Sequence, residues 1–459
     1  MAVVSISNLA EAGNNHRLDA EFYQPEYFID FSKGDWKPLR GFLDICQYGI
    51  SQAMTEEPIG HPIFRMNDIK DCFLLDDEVK YIEISDRVFQ QFKLQTDDIL
   101  FNRVNAEEFV GRTGIFKLQG EYVFASYLIR LRVKPRAGLL ADYLNIFLNT
   151  KYGKRQIRRF SRRAVNQANV NAEELQDFRV AMLPLSIQNE ISLLSTYAWK
   201  QVELSKSLYR NAENLLLQEL GVKDFQPKYE LSYTASLFKA FGAHRVDAEY
   251  FQPAYENLMK VVAEKCSLVS LGRAFNFNRG IFVPTDYYTD KKTNRPYIRI
   301  KELSGRIGIE ESKVVFINDG YPQDNNNQLK ETDLVVAIIG DTIGKTNRIS
   351  MELAGGFCSN NMGRLRIKSD WATRILPEFA ELAFQSFVIQ RQIERGKAQT
   401  GQPKISDFEI RAIKVPMPAI ETQKEIVSLI QQSHGARRKA KELLEEAKSK
   451  VENLIEGES

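Results

Sequence analysis

Cysteine is scarce in this sequence. Cys46, Cys72, Cys266 and Cys358 are the only four in 459 residues, and no two form a Cys-x-x-Cys pair. That spacing argues against a disulfide framework or a cysteine zinc site, and it fits the reduced thiols of a cytoplasmic protein. Long apolar runs are also missing: none approaches the roughly 20 residues that span a bilayer. The start, Met1 to Ser5, lacks the basic end and apolar core of a secretion signal. There is no surplus of either charge, with 62 Lys and Arg against 60 Asp and Glu. A polybasic coat is therefore excluded, and any nucleic-acid surface must be a local patch. Catalytic signatures are absent too. The chain holds no GxGxxG, HExxH or GxSxG, and no Asn-Pro-Pro-aromatic run of the kind an adenine methyltransferase needs. What is present is ordinary globular composition, 43% hydrophobic and 27% charged, in a chain long enough for roughly two to four domains.

The most informative feature is a repeat. His16-Arg17-Leu18-Asp19-Ala20-Glu21-Phe22-Tyr23-Gln24-Pro25 returns 228 residues later as His244-Arg245-Val246-Asp247-Ala248-Glu249-Tyr250-Phe251-Gln252-Pro253. Seven of the ten positions are identical, the other three are like-for-like, and a Tyr follows two residues on in both copies (Tyr27, Tyr255). Gln188-Asn189-Glu190-Ile191 then matches Gln423-Lys424-Glu425-Ile426, and Ala212-Glu213-Asn214-Leu215 matches Val451-Glu452-Asn453-Leu454. A period above 200 residues is too long for a solenoid; it marks duplication of a whole domain with its connector.

Within each copy the pattern changes from strands to helices. Asp98 to Phe101, Gly114 to Phe116 and Leu128 to Val133 are short β-rich runs, as are Asp333 to Ile339 and Arg364 to Ile367. Helical patterns follow near Leu139–Phe160 and Leu376–Arg395. Two longer helices close the copies. Ile187 to Leu220 has no Pro or Gly, and Ile191, Leu194, Ala198, Gln201, Ser205, Leu208, Ala212 and Leu215 recur as a heptad seam. Ile426, Leu429, Ser433, Ala436, Ala440, Leu443, Ala447, Lys450 and Leu454 repeat the pattern, interrupted only by Gly435. Pro184, Pro416 and Pro418 mark the starts, and Gly221 and Gly457 the stops. Small residues on both seams let backbones approach closely. The expected fold is therefore α+β: two globular mixed α/β domains, residues 1–182 and 222–415, separated by two long antiparallel coiled-coil helices at 183–221 and 416–459, duplicated about a pseudo-two-fold axis. About 30 helical residues make a rod of roughly 45 Å, the length of about 13 base pairs.

Candidate DNA contacts come from the basic and amide residues. Lys151 to Arg163 carries seven basic side chains and no acid. Lys154, Arg155, Arg158, Arg159, Arg162 and Arg163 are the phosphate-contact candidates, mostly on one helical face. Arg103, Asn105 and Arg112 follow a strand, as do Lys345, Asn347 and Arg348, with Asn360 nearby in the second copy. Arg and Asn can read guanine and adenine edges bidentately. Arg295 and Asn325 sit on another loop. Lys397, Gln399, Gln402 and Lys404 form a polar loop before the second long helix that parallels Arg162, Arg163 and Gln167.

Two tempting motifs are set aside. Gly340-Asp341-Thr342-Ile343-Gly344-Lys345-Thr346 looks like a phosphate-binding loop, but it has three residues between its glycines where four are required. The first copy has Gly111-Arg112-Thr113 at the matching place, so a duplicated turn explains both. The repeated His-Arg-x-Asp could suggest acid–base work; a packing joint between each domain and the helices accounts for it without chemistry.

The pattern resembles the specificity (S) subunits of type I restriction-modification systems across nearly the whole chain. The resemblance rests on Asp97-Asp98-Ile99-Leu100-Phe101-Asn102-Arg103, on Phe124-Ala125-Ser126 through Arg130-Leu131-Arg132, and on the close of each domain. That close is Gly401-Gln402-Pro403-Lys404-Ile405-Ser406, then Val415 to Pro418, then Gln423-x-Glu425-Ile426. The weaker first form is Asn166 to Val170, then Leu183 to Leu185, then Gln188-x-Glu190-Ile191. The resemblance implies that each domain reads one half of a split site in double-stranded DNA. It also implies that the helices set the spacer and dock two methyltransferase (M) subunits, joined by restriction-translocase (R) subunits. S-adenosylmethionine, ATP and Mg would be bound by those partners and no cofactor by this chain, which would be non-catalytic and cytoplasmic. The first copy lacks the Gly and Pro of Gly401-Gln402-Pro403. Two alternatives stay open: an S-like recognition or scaffold subunit of another phage-defence system, and an enzyme with an unrecognised nuclease or methylase site.

Overall fold

A computed structural model describes residues 17–164, 167–243, 245–304, 308–322, 324, 326–398 and 403–457. The chain divides into two compact units: one runs to Leu204 and resumes from Gly435, the other is Ser205–His434.

In unit 1 the central sheet orders its strands as Leu43–Tyr48, Leu128–Val133, Ile99–Asn102, Thr113–Ile115, Phe73–Leu74 and Ile69–Lys70. Ile99–Asn102 is buried on both faces, which is why it reads as an unbroken apolar run and not as an alternation. Alternate residues serve different cores. Ile99 and Phe101 join Tyr143, Phe147 and Ile157 beneath the helices, while Leu100 joins Phe64, Phe116 and Phe124 on the other side. A second small sheet sets Val123–Phe124 parallel to His61–Phe64, with Lys80–Ile82 antiparallel beyond.

Unit 2 repeats this topology. Phe275–Arg279, Met362–Ile367, Leu334–Ala337 and Thr346–Arg348 stand in the same order. Leu334 and Val336 enter one core while Val335 and Ala337 enter another. Phe357–Cys358 is again parallel to Pro296–Ile298. The expected strands are all present, and each expected helical run breaks at the same point. Ala141–Leu148 and Lys151–Phe160 meet at Thr150, whose hydroxyl accepts from Gly153 N–H; Pro377–Gln385 and Phe387–Gly396 meet at Ser386.

The motifs that carried the family resemblance are structural. Asp98, fully buried, accepts two 2.6 Å bonds from Arg132. Asp333 accepts the equivalent pair from Arg366 at 2.7 Å. Two residues earlier in each strand, Arg130 donates to the carbonyls of Gln91 and Lys93 at a helix end, and Arg364 to those of Asn326 and Gln328. Two glycines are fixed by close approach: a Cβ on Gly49 would lie 2.4 Å from the carbonyls of Phe124 and Ala125, and one on Gly280 within 2.3 Å of those of Cys358 and Ser359.

The two long helices are Leu185–Glu219 and Ile420–Glu456. Gly221 and Gly457, at φ +68° and +78°, follow them. Their partners run antiparallel within each unit. In unit 1 Glu190 pairs with Lys450; further along, Trp199 packs on Phe73 and Arg437 reaches Asp71. In unit 2 the Ser205 and Ser433 hydroxyls are 3.0 Å apart, whereas Gly221 packs on Lys265, next to the strand pair in which Ser267 meets Met417.

The fully buried seam is shifted from the expected one at most alternate positions, although Ala436 is buried as expected and Leu194, Leu215, Leu429 and Leu443 are half-buried against the cores. Ile191, Ala198, Ser205 and Ala212 are buried as expected, but Ser195, Val202 and Leu216 are buried in place of Leu194, Gln201 and Leu215. On the second helix Ile430, Leu444 and Val451 take the places of Leu429, Leu443 and Lys450. The cause is that each helix packs against a domain as well as against its partner. Ser195 donates to Asp142 of unit 1, and Gln188 and Gln423 each bind carbonyls of their own domain. The buried arc is therefore wider than a two-helix seam and rotated by one residue. Among the described residues no helix is long and apolar enough to cross a membrane.

Candidate nucleic-acid interface

In unit 1 the basic helix Lys151–Phe160 runs straight into a hairpin, Arg162–Ala164 with Gln167–Asn169. The hairpin's second strand pairs with Val104–Asn105, so that Ala168 faces Asn105. Candidates some 60 residues apart in sequence, Asn105 and Gln167, thus share one three-stranded sheet. Gly111, at φ +80°, lets the intervening loop lie against Ile157 of the basic helix.

The basic side chains divide into two groups. Lys154, Arg155 and Arg158 are exposed and enter no ion pair among the described residues. The others are held. Lys151 lies 2.5 Å from Glu456 of the second long helix. Arg159 stacks between Phe22 and Phe28 at 4.4 and 4.3 Å, and Arg162 pairs with Glu174 while staying largely exposed. Arg163 contributes backbone to the hairpin; its side chain lies outside the described residues. Arg103 donates to Ser126 O and stacks on Tyr48. Asn105 accepts from Ala106 N–H, and Arg112 is exposed over Phe109. The exposed aromatics beside Arg103, Tyr48 and Tyr127, were not singled out from the sequence. Nothing in their spacing marks them, because strand pairing is what brings them to Arg103.

Unit 2 builds the same edge. Lys404 is exposed and bridges both Ala398 and Ile339, and half-buried Lys397 closes the helix Phe387–Gly396. Gly340 and Gly344 form the turn that looked like a phosphate loop. Its amides are already used: Gly340 N–H donates to Pro403 O, Gly344 N–H to Ala337 O and Lys345 N–H to Thr342 O. These three N–H groups are therefore not free to hold a phosphate. Beside this turn lies a cleft of about 450 Å³ whose lining includes Asp341, Gln390, Arg391, Glu394 and Lys397. Asn360 is exposed and Lys345 half-buried.

Three candidates change character. Arg295 is buried, and its guanidinium donates to the carbonyls of Asn318, Tyr321 and Pro322; it pins a loop and presents nothing outward. Asn347 is fully buried and donates to Glu381. Arg348 lies beside Glu378 and Glu381. Strand Thr346–Arg348 turns these polar groups toward a helix, an orientation that sequence position alone does not reveal. Burial holds the Glu381 carboxyl above the usual carboxylate range. Asn325, Gln399 and Gln402 lie outside the described residues.

Each unit by itself joins the base of a hairpin to a helix end that carries basic groups, so the chain is a duplication of one such unit. Residues 265–447 match the family described as the type I restriction modification DNA specificity domain. The chain is 24% identical over 457 residues, covering 95% of it and 97% of the relative, to a putative type I restriction enzyme MjaX specificity subunit from Methanocaldococcus jannaschii. It is 28% identical over 172 residues, 37% of this chain and 36% of the other, to the EcoKI specificity subunit of Escherichia coli K12. The solved S subunit from M. genitalium aligns over 94% of this chain and 98% of its own, with a TM-score of 0.42 and 12% identity. Residues 265–447 thus carry a type I restriction modification DNA specificity domain, and the chain is similar over nearly its whole length to a specificity subunit.

Proposed function

We infer that this chain is the DNA-recognition subunit of a type I restriction-modification system, each unit reading one half of a bipartite duplex site. The observation that carries this is the duplicated edge: in each unit a hairpin leaves the end of a helix and pairs beside the first turn after a central strand. Lys154, Arg155 and Arg158 supply sequence-independent phosphate contacts in unit 1. Arg112, Gln167, Asn360 and Lys404, all exposed, are positioned for groove or backbone contacts. Arg103 and Asn105 bind within the protein and shape this edge.

The long helices dock methyltransferase subunits. In support, Leu193, Tyr197 and Leu204 form an exposed apolar stripe at helical spacing on the first of them, 54, 52 and 46% exposed. The chemistry, with its S-adenosylmethionine, ATP and Mg, resides on partner subunits in the cytoplasm, and this chain performs none. Mapping methylated bases in cells that carry the chain with its methyltransferase tests the reading. A two-part motif with an unread spacer is expected; a continuous motif, or methylation indifferent to this chain, overturns it.

A further inference from the structure

The repeated decapeptide is the most strongly duplicated sequence in the chain, yet none of its residues lies among the candidate contacts. Its arginine does the same thing in both units. Arg17 is buried, grips Asp19 through two 2.6 Å bonds, and donates to Phe160 O at 3.2 Å and to Glu174 at 3.0 Å. Arg245 grips Asp247 at 2.6 and 2.9 Å and donates to Gly396 O and Lys397 O at 3.0 and 3.3 Å. Phe160 and Gly396 are the last residues of their helices, where carbonyls have no partner inside the helix and a cation is favoured. The hairpin begins within two residues of each.

The aromatic residues of the decapeptide complete the arrangement. Phe22 meets Phe160 edge-on and lies under Arg159. Tyr250 lies under Arg395 and accepts from it through its carbonyl. The packing joint read from the sequence is therefore real, but it joins the decapeptide to the helix end within each domain, not to the long helices.

We propose that Arg17 and Arg245 are positioning residues for base readout, each fixing the angle at which its own hairpin leaves its helix. This rests on the DNA-recognition reading above. The clamp lies at the hairpin base, away from the central strands that form the cores, so its loss should loosen the hairpin and leave the domain folded. Because the clamps are separate, each should affect one half of the target.

The test uses the full chain with its methyltransferase partner. Preference for the target duplex over duplexes with single base changes is measured for each half separately. Arg245→Gln should lower discrimination about tenfold in one half, the scale of one lost base contact, and leave the other within about twofold. Arg17→Gln should do the reverse. Asp247→Asn keeps the guanidinium but releases its orientation; it should affect the same half as Arg245→Gln, more weakly, which provides a milder variant if the arginine substitution unfolds unit 2. Parallel loss in both halves, unchanged discrimination in both, or an Asp247→Asn effect in the half governed by Arg17 overturns the proposal. A wild-type complex without sequence preference overturns the underlying reading instead.

Discussion

Replacing Arg155 and Arg158 by alanine removes two exposed cations from the basic helix without breaking any ion pair among the described residues. Their neighbour Arg159 is left in place because it stacks on Phe22 and Phe28, and its loss would mix a packing defect with a charge defect. If both side chains contact phosphate, each releases about 0.9 of a counterion, so the slope of log affinity against log salt flattens by about 1.8. Across a fourfold rise in salt, the gap between wild type and variant should narrow about 12-fold. Fluorescence anisotropy with a target duplex and a scrambled duplex measures this directly. The loss should be the same on both, because phosphate contacts carry no sequence information. An unchanged slope, or a loss confined to the target duplex, would refute the assignment.

Asp98→Asn breaks the buried bidentate pair with Arg132 and should cost unit 1 about 3–5 kcal/mol in denaturant unfolding. Gly280→Ala, which drives a Cβ to 2.2 Å from Ser359 O, should cost about 3 kcal/mol. Gly435→Ala should instead stabilise by about 0.5–1 kcal/mol, since Gly435 is mid-helix with nothing within 4 Å of its Cβ position. The Asp247 carboxyl is held below its ordinary value of 3.8 by its hydrogen bonds with Arg245. Its contribution is therefore complete above that value and disappears as pH falls through the lowered one. Asp247→Asn should be destabilising at neutral pH in thermal unfolding, and the difference from wild type should shrink only as pH falls through the lowered Asp247 value.

The sequence by itself determined the duplication, the strand runs around Phe101 and Leu365, both long helices with their stops at Gly221 and Gly457, and the resemblance to specificity subunits. All of these are written in local order: apolar period, helix stops and repeated words survive without any knowledge of what packs where. Only the tertiary structure decided which seam residues are buried, because Ser195 and Val202 face a domain that no heptad pattern records. It also decided that Asn347 and Arg295 point inward while Lys154 and Arg158 point outward, since strand pairing and helix phase set the direction of a side chain. The hairpin pairing of Asn105 with Ala168, and the clamp from Arg17 to Phe160, join residues 63 and 143 positions apart. Contacts of that range leave no mark in the spacing of a single sequence, so folding alone brings the reading edge together.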